Sequence, residues 1–169
     1  PRRSPVTAST LSTVKARLVA VCQALAADVP AYWTWPGIEQ VWADIGGSHF
    51  ERVEAYWLDH VATATVIHPT MRAGQKRREE EFEQVVNCGV QDAREDATLQ
   101  AVEERALALF GLLEDALAAS GRLAGTTLTA GQQIVLARID EWTLESGPLE
   151  NHGYAAVVAA SVLVRARLL

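Results

Sequence analysis

The sequence predicts an α+β fold, with a mostly antiparallel sheet and two main helices packed on one of its faces. Two segments place apolar residues at three- and four-residue steps, which is typical of amphipathic helices. The other regular segments have the aromatic and β-branched residues of strands, and most follow one another in hairpin order. Neither repeats nor a change in composition marks a boundary, so we predict one domain over residues 10–169 after a flexible arm over residues 1–9.

The composition is that of a globular, acidic protein. Of the 169 residues, 49% are hydrophobic and 21% are charged, and the net charge is −6. This composition argues against a disordered chain, and the acidic balance argues against a protein whose main task is to bind nucleic acid. The apolar run from Leu18 to Ala27 is interrupted by Gln23 and falls short of the roughly 18 apolar residues that a membrane span requires. We therefore expect intracellular synthesis and no membrane partner.

The first helix is predicted from about Thr10 to Ala27. Ser9 or Thr10 is the expected N-cap, and Pro30 prevents the helix from continuing. A stripe on one side indicates a helix that packs on the sheet and not a secretion signal, whose core would be apolar all round. The stripe consists of Leu11, Val14, Leu18, Val21, Cys22 and Leu25.

Tryptophan is concentrated in a segment without helical spacing. Residues 31–47 contain Trp33, Trp35 and Trp42, and we predict short strands or an extended loop here, with turns at the Pro-Gly and Gly-Gly pairs. These tryptophans have two interpretations. Core packing is the commoner role, whereas a contact surface is the alternative because aromatic residues are enriched in protein–protein interfaces.

Two strand-like segments, about 53–67 and about 79–90, are predicted to form a hairpin with an extended loop. The connector "HPTMRAGQKR" contains a proline and a glycine and is too long for a tight turn. Phe82 and Val85 differ in parity, so we expect one slip or bulge in this pairing.

Six charges of opposite sign stand where the second of these strands begins. In "KRREEE", residues 76–81, three basic residues precede three acidic ones. A solvated turn is one interpretation. The other is a contact surface in which the basic patch of one subunit meets the acidic patch of its neighbour. Its residues would be Arg72, Lys76, Arg77, Arg78, Glu79, Glu80 and Glu81.

The second helix and the last hairpin have the clearest patterns. Asp96 or Thr98 caps the helix, and Ser120-Gly121 ends it. Residues 132–147 and 154–167 are the two strands of the hairpin. The last strand is apolar on both faces, so it is either a central strand or an edge that a neighbouring subunit covers. The stripe of the second helix consists of Leu99, Val102, Ala106, Leu109, Leu113 and Leu117.

The sequence contains no recognisable catalytic or metal-binding motif. The four histidines form no i, i+4 pair, no serine lies in a G-x-S-x-G elbow, and the glycines lack the lysine of a phosphate loop. The glutamates at 79–81 could hold a divalent ion, but the adjacent arginines favour salt bridges or solvation. Cys22 and Cys88 lie on apolar stripes, which favours buried reduced thiols over a disulfide.

We therefore predict no catalytic residue, no metal site and no cofactor, and we do not expect an enzyme. The weaker alternative is a small α+β enzyme or ligand-binding domain that uses the tryptophan segment with His49 or His60.

Four stretches together carry a resemblance to a known family. They are the opening helix "LSTVKARLVAVCQALAADVPA", the charged strand entry "KRREEEFEQVVNCGV", the helix end "LEDALAASGRLAG" and the final strand "YAAVVAASVLVRAR". In this order of elements the chain resembles the tail terminator (tail completion) proteins of long-tailed bacteriophages over nearly its whole length. The tryptophan-rich segment 32–57 and the acidic triplet have no counterpart in the resemblance.

The resemblance implies a structural virion protein. Members of that family form a ring, typically a hexamer, that caps the tail tube, stops its elongation and joins the tail to the head-completion or connector protein. For this chain it implies a place in the phage tail or neck after synthesis in the host cytoplasm. It also implies no cofactor, and DNA that passes through the lumen without specific binding. An acidic chain suits such a lumen because it repels phosphates. Another neck or head-completion protein is the alternative within this class.

The charged loop provides a first test. We expect reversal of Arg72, Lys76 and Arg77 to glutamate to leave the circular dichroism spectrum unchanged and to weaken docking on the tube or on the adjacent subunit. Each exposed ion pair contributes only about 0.2–1 kcal/mol, but a ring repeats every contact. The defect should be larger at low salt, where screening is weak. Normal tail assembly by the triple variant in a complementation assay would favour the solvated turn.

Overall fold

A five-stranded sheet organises the computed structural model of the protein. The structure describes residues 9–46, 52–67, 78–121, 123, 128 and 132–168. In these parts the helices are α1 (Leu11–Leu25), α2 (Ile38–Asp44) and α3 (Leu99–Ser120), and the strands are β1 (Ala31–Tyr32), β2 (Arg52–Ile67), β3 (Arg78–Asp92), β4 (Gln132–Pro148) and β5 (Tyr154–Leu168). The sheet order is β1-β2-β3-β5-β4; β1 is parallel to β2, and the other neighbouring pairs are antiparallel. The predicted α+β class and mostly antiparallel sheet are confirmed.

The last strand, β5, is a central strand. It pairs with β3 on one side and with β4 on the other along its length. Its even-numbered residues from Ala156 onwards, including Val158 and Val162, are buried, and we call their side of the sheet the inner face. The central-strand prediction is confirmed, and the alternative of an edge strand is wrong because both edges of β5 are hydrogen-bonded within the chain.

Helices α1 and α3 supply apolar side chains to the core on the inner face. Leu18 and Cys22 of α1 and Leu109 and Leu113 of α3 belong to one cluster with the inward residues of β3 and β5. Full burial of a leucine-sized side chain contributes about 1.5–3 kcal/mol, so this cluster is the main source of stability. Tyr56 of β2 adds a polar connection, because its hydroxyl donates to the Leu109 carbonyl oxygen at 2.9 Å.

The predicted ends of α3 are confirmed. Thr98 is the N-cap, and its hydroxyl oxygen accepts from the Ala101 N–H at 3.2 Å. Gly121 follows the last helical residue, and its N–H donates to the Leu117 carbonyl. A hydrogen bond therefore satisfies a backbone group at each end of α3, as helix caps do.

A third helix, α2, corrects the prediction of a loop between residues 31 and 47. Its Ile38 and Trp42 pack against Val53 and Ala55 of β2, which point away from the inner face. Thus α2 lies on the opposite side of the sheet, which we call the outer face. The helix has only 7 residues and follows Gly37, whose φ is 93°, so the local pattern resembles that of a loop.

The pairing of β2 with β3 contains the predicted irregularity, but the additional residues are on β2. Leu58 pairs with Val86 and Ala62 with Gln84, so three residues of β2 oppose Val85 alone. The bulge leaves the Asp59 carbonyl oxygen outside the ladder. It accepts instead from the buried Gln84 side chain at 3.1 Å, so this carbonyl keeps a hydrogen-bond partner despite the register shift.

A buried carboxylate attaches the start of α1 to the sheet. Glu80 points to the inner face and is 5% exposed. One of its oxygens accepts from the Ser9 hydroxyl at 2.6 Å, and the other accepts from the Thr10 N–H and hydroxyl at 3.0 Å each. A carboxylate at this position satisfies a donor at the helix start and is favourable with the helix dipole. We call these three residues the Glu80 anchor.

Removal of the anchor should destabilise the fold. Glu80→Ala leaves buried donors without an acceptor, so we expect the free energy of unfolding in urea to fall by about 2–4 kcal/mol. Glu80→Gln keeps one acceptor oxygen and should lose less. Glu83→Ala, an exposed position on the same strand, is the matched control and should change stability by less than about 0.5 kcal/mol. Equal losses for Glu80→Ala and Glu83→Ala would contradict the anchor.

Candidate functional site on the outer face

The basic residues of the predicted contact surface fall mainly outside the described part of the chain. Arg72, Lys76 and Arg77 lie in the segment between β2 and β3, which the structure does not describe. Arg78 is the first residue of β3 and pairs through its backbone with Leu168 of β5. A role for these residues in contacts stays a prediction.

Two of the three predicted glutamates form cross-strand ion pairs on the outer face. Glu81 lies directly opposite Arg165, and Glu79 opposite Arg167. The Arg165 Nε donates to a Glu81 oxygen at 2.9 Å, and the Arg167 Nη2 lies 3.2 Å from a Glu79 oxygen. Hydrogen bonding to Glu81 raises the pKa of the Arg165 guanidinium above its usual value. These four side chains, the outer-face ladder, neutralise one another within a single chain.

The third glutamate has a different role from the predicted one. Because Glu80 points to the inner face and both of its oxygens are hydrogen-bonded, its charge is not presented to a neighbouring subunit. Its separation from Glu79 and Glu81 also argues against one ion held by all three glutamates. The alternation of a strand explains the position of Glu80, since consecutive side chains point to opposite faces.

An apolar groove lies at the other end of the outer face. It encloses about 350 Å³ between α2 and the strands β2, β3 and β5. Such a volume lies at the small end of protein ligand pockets. The residues that form its walls include Trp35, Ile38, Ala55, Trp57, Ala155 and Val157.

Two tryptophans and one glycine shape this groove. The Trp35 and Trp57 ring centroids are 4.6 Å apart with planes tilted by 54°. The Trp57 ring lies across β3 at Gly89, where a Cβ atom would stand 2.5 Å from its ring carbons. Trp35 remains 42% exposed. The glycine therefore gives the indole its position, and the pair forms one wall of the groove.

The three tryptophans predicted to act together have separate environments. Trp33 is 43% exposed and lies over the α1 residue Lys15, whose Nζ is 5.5 Å from the ring centroid. Trp35 belongs to the groove. Trp42 is half-buried against the α2–β2 cluster. Core packing thus describes Trp42, whereas exposed aromatic surface is present at Trp33 and Trp35.

Several groove residues were not singled out from the sequence. Ile38 belongs to the helix that was predicted as a loop, and Ala155 and Val157 are ordinary apolar strand residues. The signal that pointed to them was the apolar character of both faces of the last strand. Gly89 carried no signal, because its role depends on a tryptophan from another strand.

The structure also shows the surroundings of the two cysteines and of two histidines. Cys22 and Cys88 are free and buried, as predicted, and burial raises the pKa of the Cys22 thiol to about 12. His60 and His152 are exposed, and His49 lies outside the described residues. Among the described residues that line the groove there is neither a histidine nor a carboxylate.

Within the described ranges, no cluster of three or more histidine, cysteine or acidic side chains is arranged to hold a metal ion. The helices of the same ranges are also too short or too polar to cross a membrane.

The chain matches no protein-family model, and no curated protein sequence matches it.

Substitution of Gly89 tests the geometry of the groove. In Gly89→Ala the new methyl group would displace the Trp57 ring, so we expect altered near-UV circular dichroism and a loss of about 1–3 kcal/mol in stability. Gly147→Ala is the control, because a Cβ there meets nothing within 4 Å. Identical aromatic spectra for the two variants would contradict the assigned contact.

Proposed function

We propose that the protein is a structural, ring-forming assembly protein of the tail terminator type. In this role copies of the chain associate side by side, cap a phage tail tube and connect it to the head-completion protein. The resemblance of the four sequence stretches and the α+β fold support this proposal. The mode of action is surface contact, so no cofactor is involved.

The apolar outer side of β5, next to the groove, is the observation that carries the proposal. The inner face of β5 is buried by the core, while on the outer face its residues Ala155, Val157, Ala159 and Leu163 are only half-buried. Helix α2 packs on β2 and leaves the groove open beside β5. Exposed apolar surface with polar neighbours such as Glu83 and Glu145 is typical of protein–protein contacts.

The outer-face ladder fits a contact surface that is not held together by net charge. The outer-face ladder pairs each acid with a base inside one chain. Burying such paired charges in an interface costs less free energy than burying single charges. The pairs favour one relative position of the subunits more than they raise the affinity. The undescribed basic loop then provides the separate electrostatic contact that was predicted from the sequence.

Two alternatives differ from this proposal in their consequences. Another neck or head-completion protein would also use surface contact, and its position in a virion distinguishes it. A ligand-binding domain would use the groove for a small apolar molecule, which its volume of about 350 Å³ admits. The apolar character of the groove does not by itself supply groups for acid–base chemistry.

The mass of the protein in solution tests the proposal. We expect sedimentation and light scattering to give an assembly of about six times the 18.3 kDa chain mass, and electron microscopy to show closed rings. Because assembly follows mass action, dilution should release monomers. A species of 18.3 kDa at every concentration would contradict a self-assembling role.

A further inference from the structure

The second half of β2 is an edge of the sheet that has no partner strand within the described ranges. Strand β1 pairs with β2 at Tyr56 and Trp57, so beyond the bulge β2 is paired with β3 on one side alone. Residues 63–66 are exposed, and Val66 has 40% of its surface exposed. We call residues 62–67 the free edge. The backbone N–H and C=O groups of such an edge are available to a further strand.

The free edge lacks the features that protect sheet edges from other chains. Its sequence "ATATVI" contains no charge, no proline and no glycine, and most of its residues are β-branched. Segments of about six residues with these properties pair readily with another strand. The edge strand β4 is different, because it has two irregularities in its pairing and carries Arg138, Asp140 and Glu141. The β2 side is therefore the place where this sheet accepts an additional strand.

A segment of the chain begins beside this edge. Ser9 donates to Glu80 at 2.6 Å, and Glu80 lies directly opposite Val66 in the pairing of β2 with β3. Neighbouring strands are about 4.8 Å apart, so residues 1–8 join the described fold about one strand spacing from Val66. We call residues 1–8 the arm segment. The Glu80 anchor fixes the point from which this segment starts.

The composition of the arm segment suits an outermost strand. Alternate residues of a strand direct their N–H groups to the neighbouring strand, and the residues between them face away. Pro1 and Pro5 are an even number of positions apart, so both can stand where no N–H is needed while Ser4 and Val6 donate. The segment has two arginines and no acid, whereas acidic side chains outnumber basic ones in the described ranges. Its charge therefore favours docking on this body.

Chain direction indicates which copy supplies the strand. An arm segment that runs back from Ser9 along its own β2 would lie parallel to that strand, because Val66 is near the carboxyl end of β2. It would also have to cross from the inner face, where Ser9 is bound, over Ala64 to the edge. The arm segment of a second copy can enter antiparallel, which is the more stable pairing. A second copy is therefore the better donor.

We propose that the arm segment of one copy adds as an antiparallel strand to the free edge of β2 in a neighbouring copy. This proposal rests on the proposed self-assembling function and names one of its contacts. Each copy gives its arm segment to one neighbour and receives that of another, which is the head-to-tail arrangement that closes a ring. Main-chain hydrogen bonds hold the added strand, as they do in other contacts made by strand addition.

Proline substitutions in the arm segment test the strand without changing the described fold. Val6→Pro removes an N–H that the pairing uses, so we expect self-association measured by sedimentation to weaken at least about tenfold. Thr7→Pro is the matched control, because it has the parity of Pro5 and should leave association unchanged. Ala64→Lys places a charge on the free edge and should also weaken association, whereas Ala108→Lys changes an exposed alanine of α3 and should not. Urea unfolding checks that each variant keeps the fold.

Cross-linking between two variants identifies the copy that supplies the strand. One preparation carries Val6→Cys and the other Thr65→Cys, which is an exposed position, while the native Cys22 and Cys88 are buried. The two preparations are mixed, diluted, concentrated again and treated with a short bis-maleimide. We expect a covalent dimer that contains one copy of each variant. Wild-type protein treated in the same way is the control for the native thiols and should run as a monomer in a denaturing gel.

The outcomes distinguish this contact from the proposed function. Wild-type assemblies would leave self-assembly standing but overturn the strand exchange if Val6→Pro and Thr7→Pro associate equally, or if the mixture gives no cross-linked dimer. A cross-link that forms within the double variant Val6→Cys/Thr65→Cys and never between copies would assign the arm segment to its own edge and overturn the exchange. A wild-type protein that stays monomeric at every concentration would overturn both the contact and the proposed function.

Discussion

The two-residue period of β3 determines which charges of the molecule meet. Because Glu80 turns inward, its carboxylate can bind Ser9 and the start of α1, and this helix can then place Leu18 in the core. The same period turns Glu79 and Glu81 outward, where arginines of β5 neutralise them. A register shift of one residue would expose Glu80 without its partners and bury two carboxylates, which is costly enough to exclude the alternative pairing.

That register also divides the sheet into two surfaces with different properties. The inner face is closed by α1 and α3, whereas the outer face carries the ladder at one end and the groove at the other. Exposed ion pairs such as those of the ladder contribute little, so apolar contact at the groove is the main source of binding energy that this face offers. Apolar contact at this face would have to outweigh the repulsion between copies that each carry a net charge of −6.

Prediction from the sequence was successful where a pattern is long and local. The 22 residues of α3 have a cap, a stripe and a terminating glycine, and β5 has an apolar run that is typical of a central strand. Helix α2 was missed because 7 residues between glycines do not show a helical period. The direction of each glutamate in "EEE" depends on the strand register, and the groove depends on Trp57 crossing Gly89. Both are long-range properties that no local pattern encodes.

Oxidative footprinting of the tryptophan side chains tests the central claim that assembly covers the outer face of the sheet. Two reporters start from similar exposures, which are 43% for Trp33 and 42% for Trp35. Mass spectrometry of concentrated and diluted protein should show that assembly protects Trp35, while Trp33 on the α1 side reacts equally in both states. Assembled protein in which Trp35 reacts as fast as in the monomer would contradict this account.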